Sequence, residues 1–234
     1  MLEKAKDLFL NSKTVIFTLM LITAVGITVT GFVYKQDFFK ILPLYIALVA
    51  KMLSSKGLRI APLINGINCI LLTLVSFSYG LYASALSTLL VECPIQIMTF
   101  LLWSRNKFGA STYFRKLKAK WRISILIFLT LLYILTLFAN RAAGGAYILL
   151  DTLQAVLALA TPFLLMFAFV EYTYTLCLSC ITTLSLYILM LAEQPELASY
   201  VVISIYSLIC AIRGLFNVAL LYKQQNGADA KKSS

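Results

Sequence analysis

A carboxylate and an amide lie four residues apart in an otherwise apolar stretch, at Glu92 and Gln96. Four residues are about one helical turn, so a helix presents both side chains on one face. Pro94 stands between them, and a proline inside a helix frees a backbone carbonyl and kinks the helix. A charged side chain within an apolar helix indicates function. The segment is therefore predicted to bind a polar small molecule, with a packing hydrogen bond between helices as the alternative interpretation.

Two further polar pairs have helical spacing. Asn65 and Asn68 are three residues apart and share a face, and Gly66 between them allows a neighbouring helix to approach closely. Asp151 and Gln154 share a face of a later apolar stretch. Both pairs are candidate ligand contacts. A packing role for the asparagines and an N-terminal capping role for Asp151 are equally compatible with their positions.

Tyrosines and cysteines are concentrated in one late apolar stretch. Tyr172, Tyr174 and Tyr187 lie there, and their rings could stack on a flat heterocyclic ligand, although membrane-facing and core tyrosines are commoner. Cys177 and Cys180 form a C-x-x-C without a second pair or a histidine. We interpret the five cysteines of the chain as small packing residues, with no disulfide framework.

The composition removes several chemistries. Of the 234 residues, 61% are hydrophobic, 12% are charged and none is histidine. A typical soluble domain has about 25% charged residues. Without histidine there is no Ser-His-Asp hydrolysis, histidine-ligated zinc or histidine proton relay. The chain also lacks a G-x-x-x-x-G-K-[ST] loop for ATP. It is predicted to be a membrane protein, not an enzyme, with no cofactor and no metal.

Eight apolar segments approach the roughly 20 residues that a membrane helix needs. They are Thr14–Val33, Phe38–Leu53, Ile60–Tyr79, Tyr82–Trp103, Ile123–Asn140, Ala146–Val170, Tyr172–Leu191 and Leu197–Tyr222.

The basic residues support this count. With eight spans, 16 of the 20 Lys and Arg residues fall on one side, only Lys35, Lys40 and Arg141 fall on the other, and Arg213 lies in the last span. Cytoplasmic loops carry the excess of positive charge. Both termini and the basic connector Ser104–Arg122 are therefore predicted to be cytoplasmic, in a multi-pass protein of the cell (inner) membrane. The net charge of +11 reflects this bias, so no nucleic-acid partner is expected.

The connector divides the chain into similar parts, as a duplicated three-helix unit would. The predicted organisation is an N-terminal tail with an extra helix (1–37), a first three-helix bundle (38–104), the connector with a linker helix (105–145), a second three-helix bundle (146–222) and a disordered cytoplasmic tail (223–234).

Several short motifs together resemble the PnuC family of nicotinamide riboside transporters and their vitamin and nucleoside relatives. In the first half these are Leu63–Gly66, Leu81–Ser84, Pro94 with Gln96, and Leu102–Arg105. In the second half Asp151 and Val170–Glu171 have the separation found in that family, and Tyr200 follows a short acidic loop. The resemblance extends from about Phe38 to Tyr222.

The resemblance implies an all-α, SWEET-like fold, in which two parallel three-helix repeats are joined by a linker helix, with one extra N-terminal helix here. It implies facilitated diffusion (uniport) of a nucleoside-like vitamin, nicotinamide riboside first, with trapping by a cytoplasmic kinase. It also implies a homotrimer. The predicted substrate-binding residues are Glu92, Gln96, Asn65, Asn68, Tyr172, Tyr174, Leu176, Cys180 and Asp151.

The second half departs from the family pattern at the ligand-holding positions. Thr173 and Leu176 occupy the places of two tryptophans, and Cys180 occupies the place of an asparagine. A deoxynucleoside or thiamine is therefore an alternative substrate. A second alternative is the substrate-binding membrane subunit of an ATP-driven vitamin importer, which would also lack an ATP loop.

Overall fold

The computed structural model describes residues 13–78, 88–142, 148–193 and 195–232. These residues form eight α-helices, which agrees with the predicted all-α class. The helices are α1 (Lys13–Val33), α2 (Phe38–Ser55), α3 (Ala61–Ser78), α4 (Cys93–Arg105), α5 (Ala119–Ala142), α6 (Ile148–Met166), α7 (Tyr172–Leu191) and α8 (Ala198–Lys232). A π-helical turn (Thr88–Glu92), a 3-10 helix (Pro195–Leu197) and the strands β1 (Lys107–Phe108) and β2 (Ser111–Thr112) complete the described structure.

Six of the described helices are long and apolar enough to cross a membrane, and each coincides with a predicted span. The remaining two predicted spans correspond to α3, whose apolar helix Ala61–Leu74 is shorter, and to α4. The tail 1–12, the predicted start of the fourth span (82–87) and that of the sixth (146–147) lie outside the described residues. Multiple membrane crossings are thus confirmed, and the count of eight stays a prediction.

Six helices make a closed series of contacts, which we call the helix ring. α2 packs against α3, α3 against α4, α4 against α6, α6 against α7, α7 against α8, and α8 again against α2. α1 packs against α2 and α8, and α5 packs against α6 with none of its residues buried. An apolar helix with no buried residue presents its surface to lipid or to another protein chain. The helices of the ring pack against one another, so its interior can shield polar side chains from the membrane.

The connector packs at the end of the ring where α4, α6 and α8 finish. Its Phe114 lies in a buried apolar cluster, edge-on to Trp103 at a centroid distance of 5.6 Å and stacked on Tyr172 at 6.3 Å. The Trp103 indole N–H donates to the Leu165 carbonyl oxygen at 3.0 Å. This bond joins the ends of α4 and α6, which belong to the two predicted three-helix bundles.

Backbone pairing holds the same connector on the turn between α6 and α7. The strands β1 and β2 form a hairpin around Gly109, whose φ of +57° favours glycine. Farther along, the Arg115 N–H donates to the Ala168 carbonyl and the Arg115 carbonyl accepts from the Val170 N–H, both at 2.9 Å. The Glu171 carboxylate accepts from Arg122 at 2.6 Å. The connector is therefore a packed part of the fold.

The C-terminal tail differs from its prediction. The sequence predicts disorder from residue 223, whereas α8 continues to Lys232. Gln225, on this extension, is buried, and its side-chain amide bonds to the backbone of the connector. The stretch is rich in Ala, Gln and Lys, which are good helix formers, so an existing helix extends through it readily.

Candidate functional site

Glu92 lies where the π-helical turn meets α4. Pro94 is the second residue of α4, so its missing N–H falls in the first turn, where the helix has no acceptor for it. The sequence predicts a kink within one continuous helix. The structure instead has a π-helical turn that ends at Glu92 and an α-helix, α4, that begins at the next residue. Single π-helical turns are frequent at functional sites because they interrupt the regular backbone.

Two cysteine thiols connect this junction to α3. The Cys69 thiol donates to the Glu92 carboxylate at 3.8 Å, and the Cys93 thiol donates to the Gly66 carbonyl at 3.8 Å. Thiols are weak donors, so neither bond satisfies its acceptor strongly. The half-buried Glu92 carboxylate thus retains capacity for a stronger partner.

Gly66 is the point of close approach between α3 and α4. A Cβ atom at Gly66 would lie 3.6 Å from the Cβ of Gln96, which is van der Waals contact. The approach sets α3 against α4 at the level of Gln96. Asn68 is only 6% exposed, and Asn65 lies one turn before it, half-buried.

Two side-chain acceptor oxygens on α3 and α4 are buried without a partner. They are Oδ1 of Asn68 and Oε1 of Gln96, neither of which receives a hydrogen bond within the described residues. An unsatisfied buried acceptor costs about 1–3 kcal/mol. Buried oxygens of this kind need an explanation, and a ligand or water that donates to them is one. Glu92 and Gln96, one turn apart at the start of α4, form the strongest candidate site among the described residues, and Asn68 of the neighbouring α3 carries a second unpaired oxygen.

Lys51 lies near the end of α2 and is half-buried. Charge counting assigns it to the predicted cytoplasmic set. It shares one face of α2 with the buried residues Leu44 and Leu48.

The second half contributes the inner face of α7. Leu176 packs against the cluster of Trp103 and Phe114, and Cys180 is buried one turn farther along. The Ser179 hydroxyl donates to the side-chain oxygen of Gln154 on α6 at 3.3 Å. Cys180 is thus the predicted substrate-binding position of α7 that is buried outside the cluster of Trp103 and Phe114.

The tyrosines predicted to stack on a ligand lie elsewhere. Tyr172 is enclosed in the apolar cluster at the end of the ring, stacked on Phe114. Tyr174 is 60% exposed and lies two residues away, on the outer face of α7. Tyr187 packs against Tyr200 of α8 at 5.7 Å. None of the three is brought to Glu92 by a described contact, because the helical period directs them to different faces.

Asp151 is exposed in the first turn of α6, where the helix dipole favours a carboxylate. The Asn140 side-chain amide of α5 donates to it at 2.8 Å. This placement agrees with the helix-end role that the sequence left open, and it does not bring Asp151 to the Glu92 face.

A surface groove of about 570 Å³ lies away from these residues. It is lined by Asp37, Phe38, Phe39, Lys40, Leu42, Leu71 and Leu74. Phe38 and Phe39 are exposed there, so the groove opens outward. It contains none of the buried unpaired oxygens, and we do not assign the site to it.

The five cysteines are all free. The described residues contain no group of three or more His, Cys, Asp or Glu side chains that could hold a metal ion. The polar groups of this site are one carboxylate and amide side chains.

The comparisons with known proteins agree with this picture. A comparison with curated proteins finds no match. The fold is similar to a solved structure described as "Crystal structure of the Vitamin B3 transporter PnuC", with a TM-score of 0.75 at 17% sequence identity, over 92% of this chain and 94% of that chain. A family model described as nicotinamide mononucleotide transporter matches residues 37–219. The resemblance seen in the sequence is thereby confirmed, and the chain belongs to the nicotinamide mononucleotide transporter (PnuC) family of membrane proteins.

Proposed function

We propose that this protein carries nicotinamide riboside across the cell membrane by facilitated diffusion. Membership of the family supports a transporter of a vitamin B3 compound. The observation that carries the proposal is the Glu92 carboxylate one turn from the buried, unpaired side-chain oxygen of Gln96, with a second such oxygen on Asn68 of the adjoining helix. Transporters built from repeated helix bundles bind their ligands between the bundles, near the middle of the membrane.

The chemistry of this face suits the proposed ligand. Nicotinamide riboside has a pyridinium cation, an amide and ribose hydroxyl groups. A buried carboxylate attracts the cation, and the oxygens of Asn68 and Gln96 accept hydrogen bonds from hydroxyl or amide donors. The ligand would thus supply the donors that these acceptors lack.

Transport is proposed to be passive. The sequence has no ATP loop and no histidine, and Glu92 is the carboxylate that lies half-buried at the start of α4. A cytoplasmic kinase would phosphorylate the ligand and keep its internal concentration low, without having to bind the transporter. Purified protein in liposomes should equilibrate nicotinamide riboside in the absence of any ion gradient. Accumulation that requires an imposed proton or sodium gradient would contradict uniport.

The substrate panel should include thiamine, deoxynucleosides and riboflavin. Thiamine also has a cationic ring, so it tests whether charge alone selects the ligand. A thermal-shift or calorimetric screen of the purified protein distinguishes these compounds, and nicotinamide riboside is expected to stabilise most. Copurification with an ATPase would instead favour a subunit of an ATP-driven importer.

The assembly is proposed to be a homotrimer with both termini in the cytoplasm. The unburied apolar surface of α5 would lie either in lipid or between protomers. Native mass spectrometry in detergent measures the oligomeric state directly, and a monomer as the dominant species would contradict a trimer.

A further inference from the structure

Thr161 is a buried threonine of α6 whose hydroxyl group has no hydrogen-bond partner within the described residues. A threonine inside a helix usually donates to the carbonyl three or four residues before it. The buried Thr73, Thr99 and Thr182 do so, at distances of 2.7–2.9 Å. Thr161 is 7% exposed and does not. A buried hydroxyl that its own helix does not satisfy needs an explanation, and a ligand is one.

The next residue, Pro162, frees a carbonyl oxygen beside this hydroxyl. Proline has no N–H, so the carbonyl of Ala158, four residues before it, lacks the donor that a regular helix provides. Ala158 and Thr161 are three residues apart and share a face of α6. This face therefore offers a hydroxyl group and a carbonyl oxygen, which together can donate to and accept from one hydroxyl group of a ligand.

The contact between α4 and α6 puts Thr161 near the level of Gln96. The Trp103 indole of α4 donates to the Leu165 carbonyl of α6 at 3.0 Å, and both residues pack in the same buried cluster. Thr161 lies one turn before Leu165, and Gln96 lies two turns before Trp103 on the same side of α4. Both helices run toward the connector, so Thr161 and Gln96 lie within about one turn, or about 5 Å, of each other along the helix axes. The two unpaired groups thus belong to packed helices of the two predicted three-helix bundles.

We propose that Thr161 binds a ribose hydroxyl of the transported molecule, which bridges Thr161 on α6 and Gln96 on α4. This inference rests on the proposed function, which supplies a ligand with a ribose. The ribose hydroxyl accepts from Thr161 and donates to the Ala158 carbonyl, while another donor of the ligand reaches the Gln96 oxygen. Thr161 therefore selects ribosides over cationic rings that lack a ribose, such as thiamine.

The test measures the binding of nicotinamide riboside and its 2′-, 3′- and 5′-deoxy forms to the purified protein by calorimetry. Thr161→Val keeps the shape of the side chain and removes the hydroxyl group. It should weaken the binding of the riboside about two- to tenfold, the loss expected for one neutral hydrogen bond. One of the three deoxy forms should bind the parent and the variant equally, because it lacks the hydroxyl that Thr161 contacts. Thr161→Ser keeps the hydroxyl group and should bind the riboside as the parent does.

Thr23→Val is the matched control. It removes the hydroxyl group from a buried threonine of α1, outside the helix ring, where that group donates to the Leu19 carbonyl at 2.8 Å. It should lower the thermal midpoint of the empty protein and leave all four affinities unchanged. Thr161→Val should leave the midpoint unchanged or raise it, because its hydroxyl has no partner to lose.

Two results would overturn the inference while leaving the proposed function intact. One is a set of four affinities that Thr161→Val leaves unchanged or lowers equally. The other is a midpoint for Thr161→Val that falls as far as that of Thr23→Val, since the hydroxyl would then be bonded within the empty protein. A parent protein that binds none of the four compounds contradicts the proposed function, and this inference with it.

Discussion

The side chain of Gln225 hydrogen-bonds the backbone on both sides of Tyr113, although more than 110 residues separate them. Its Oε1 accepts from the Phe114 N–H at 2.9 Å, and its Nε2 donates to the Thr112 carbonyl at 2.8 Å. Gln225 is 2% exposed, so no water replaces these bonds. The extension of α8 and the connector therefore form one packed unit at the end of the helix ring.

Gln225→Leu should lower the thermal stability of the protein. Leucine fills a similar volume but leaves the Phe114 N–H and the Thr112 carbonyl buried and unpaired, at a cost of about 1–3 kcal/mol each. Gln224→Leu is the control, because Gln224 is an exposed neighbour on the same helix. Unfolding in detergent, followed by intrinsic fluorescence, measures both. Equal midpoints for the two variants would show that the buried amide contributes nothing.

The connector and both termini are predicted to be cytoplasmic. Lys116→Cys should react with a membrane-impermeant maleimide only after the cells are opened, because the 16-to-3 charge distribution orients the loops. Lys35→Cys, at an exposed position of the opposite side, should react in intact cells. The reverse pattern of labelling would invert the topology.

The sequence predicts the helical segments well, because an apolar segment of about 20 residues can cross a membrane only with its backbone hydrogen bonds formed within a helix. The spacing of three or four residues also predicts which polar residues share a face of one helix. The helices α3 and α4 do approach closely at Gly66, beside Gln96. What a helix faces on its other sides depends on packing between distant segments. For that reason composition alone suggested disorder at Gln225, which is buried against the connector.

The tyrosines illustrate the same limit on one helix. Tyr172 and Tyr174 are two positions apart, so a helix must direct them about 200° apart. One is enclosed with Phe114 and the other is on the outer surface. Aromatic content suggested a stacking surface, but the hydrophobic pattern of α7 is too uniform to show which side faces the interior. Only the packing of α6 and α8 against it determines that orientation.

Glu92→Gln should weaken the binding of nicotinamide riboside by roughly 30-fold or more, since losing one charged interaction in a buried site costs about 2–5 kcal/mol. The amide keeps the size of the side chain and the weak bond from Cys69. Asp151→Asn is the matched control, because Asp151 is exposed and bound by Asn140. It should bind as the parent does. A larger loss for Asp151→Asn than for Glu92→Gln would move the site to the start of α6.

Cys180→Asn should raise the affinity for nicotinamide riboside. Cys180 is buried on α7, so an amide there adds a donor and an acceptor to the packed part of the fold. One added hydrogen bond contributes about 0.5–1.5 kcal/mol, or roughly two- to tenfold in affinity.

Leu176→Trp should behave differently, because Leu176 already packs against the cluster around Trp103 and Phe114. A larger ring there overfills the cluster and should destabilise the protein by about 1–3 kcal/mol. Calorimetric titration of the two single variants and the double variant separates these effects. If Cys180→Asn leaves the affinity unchanged and Leu176→Trp raises it, then Leu176, and not Cys180, borders the ligand.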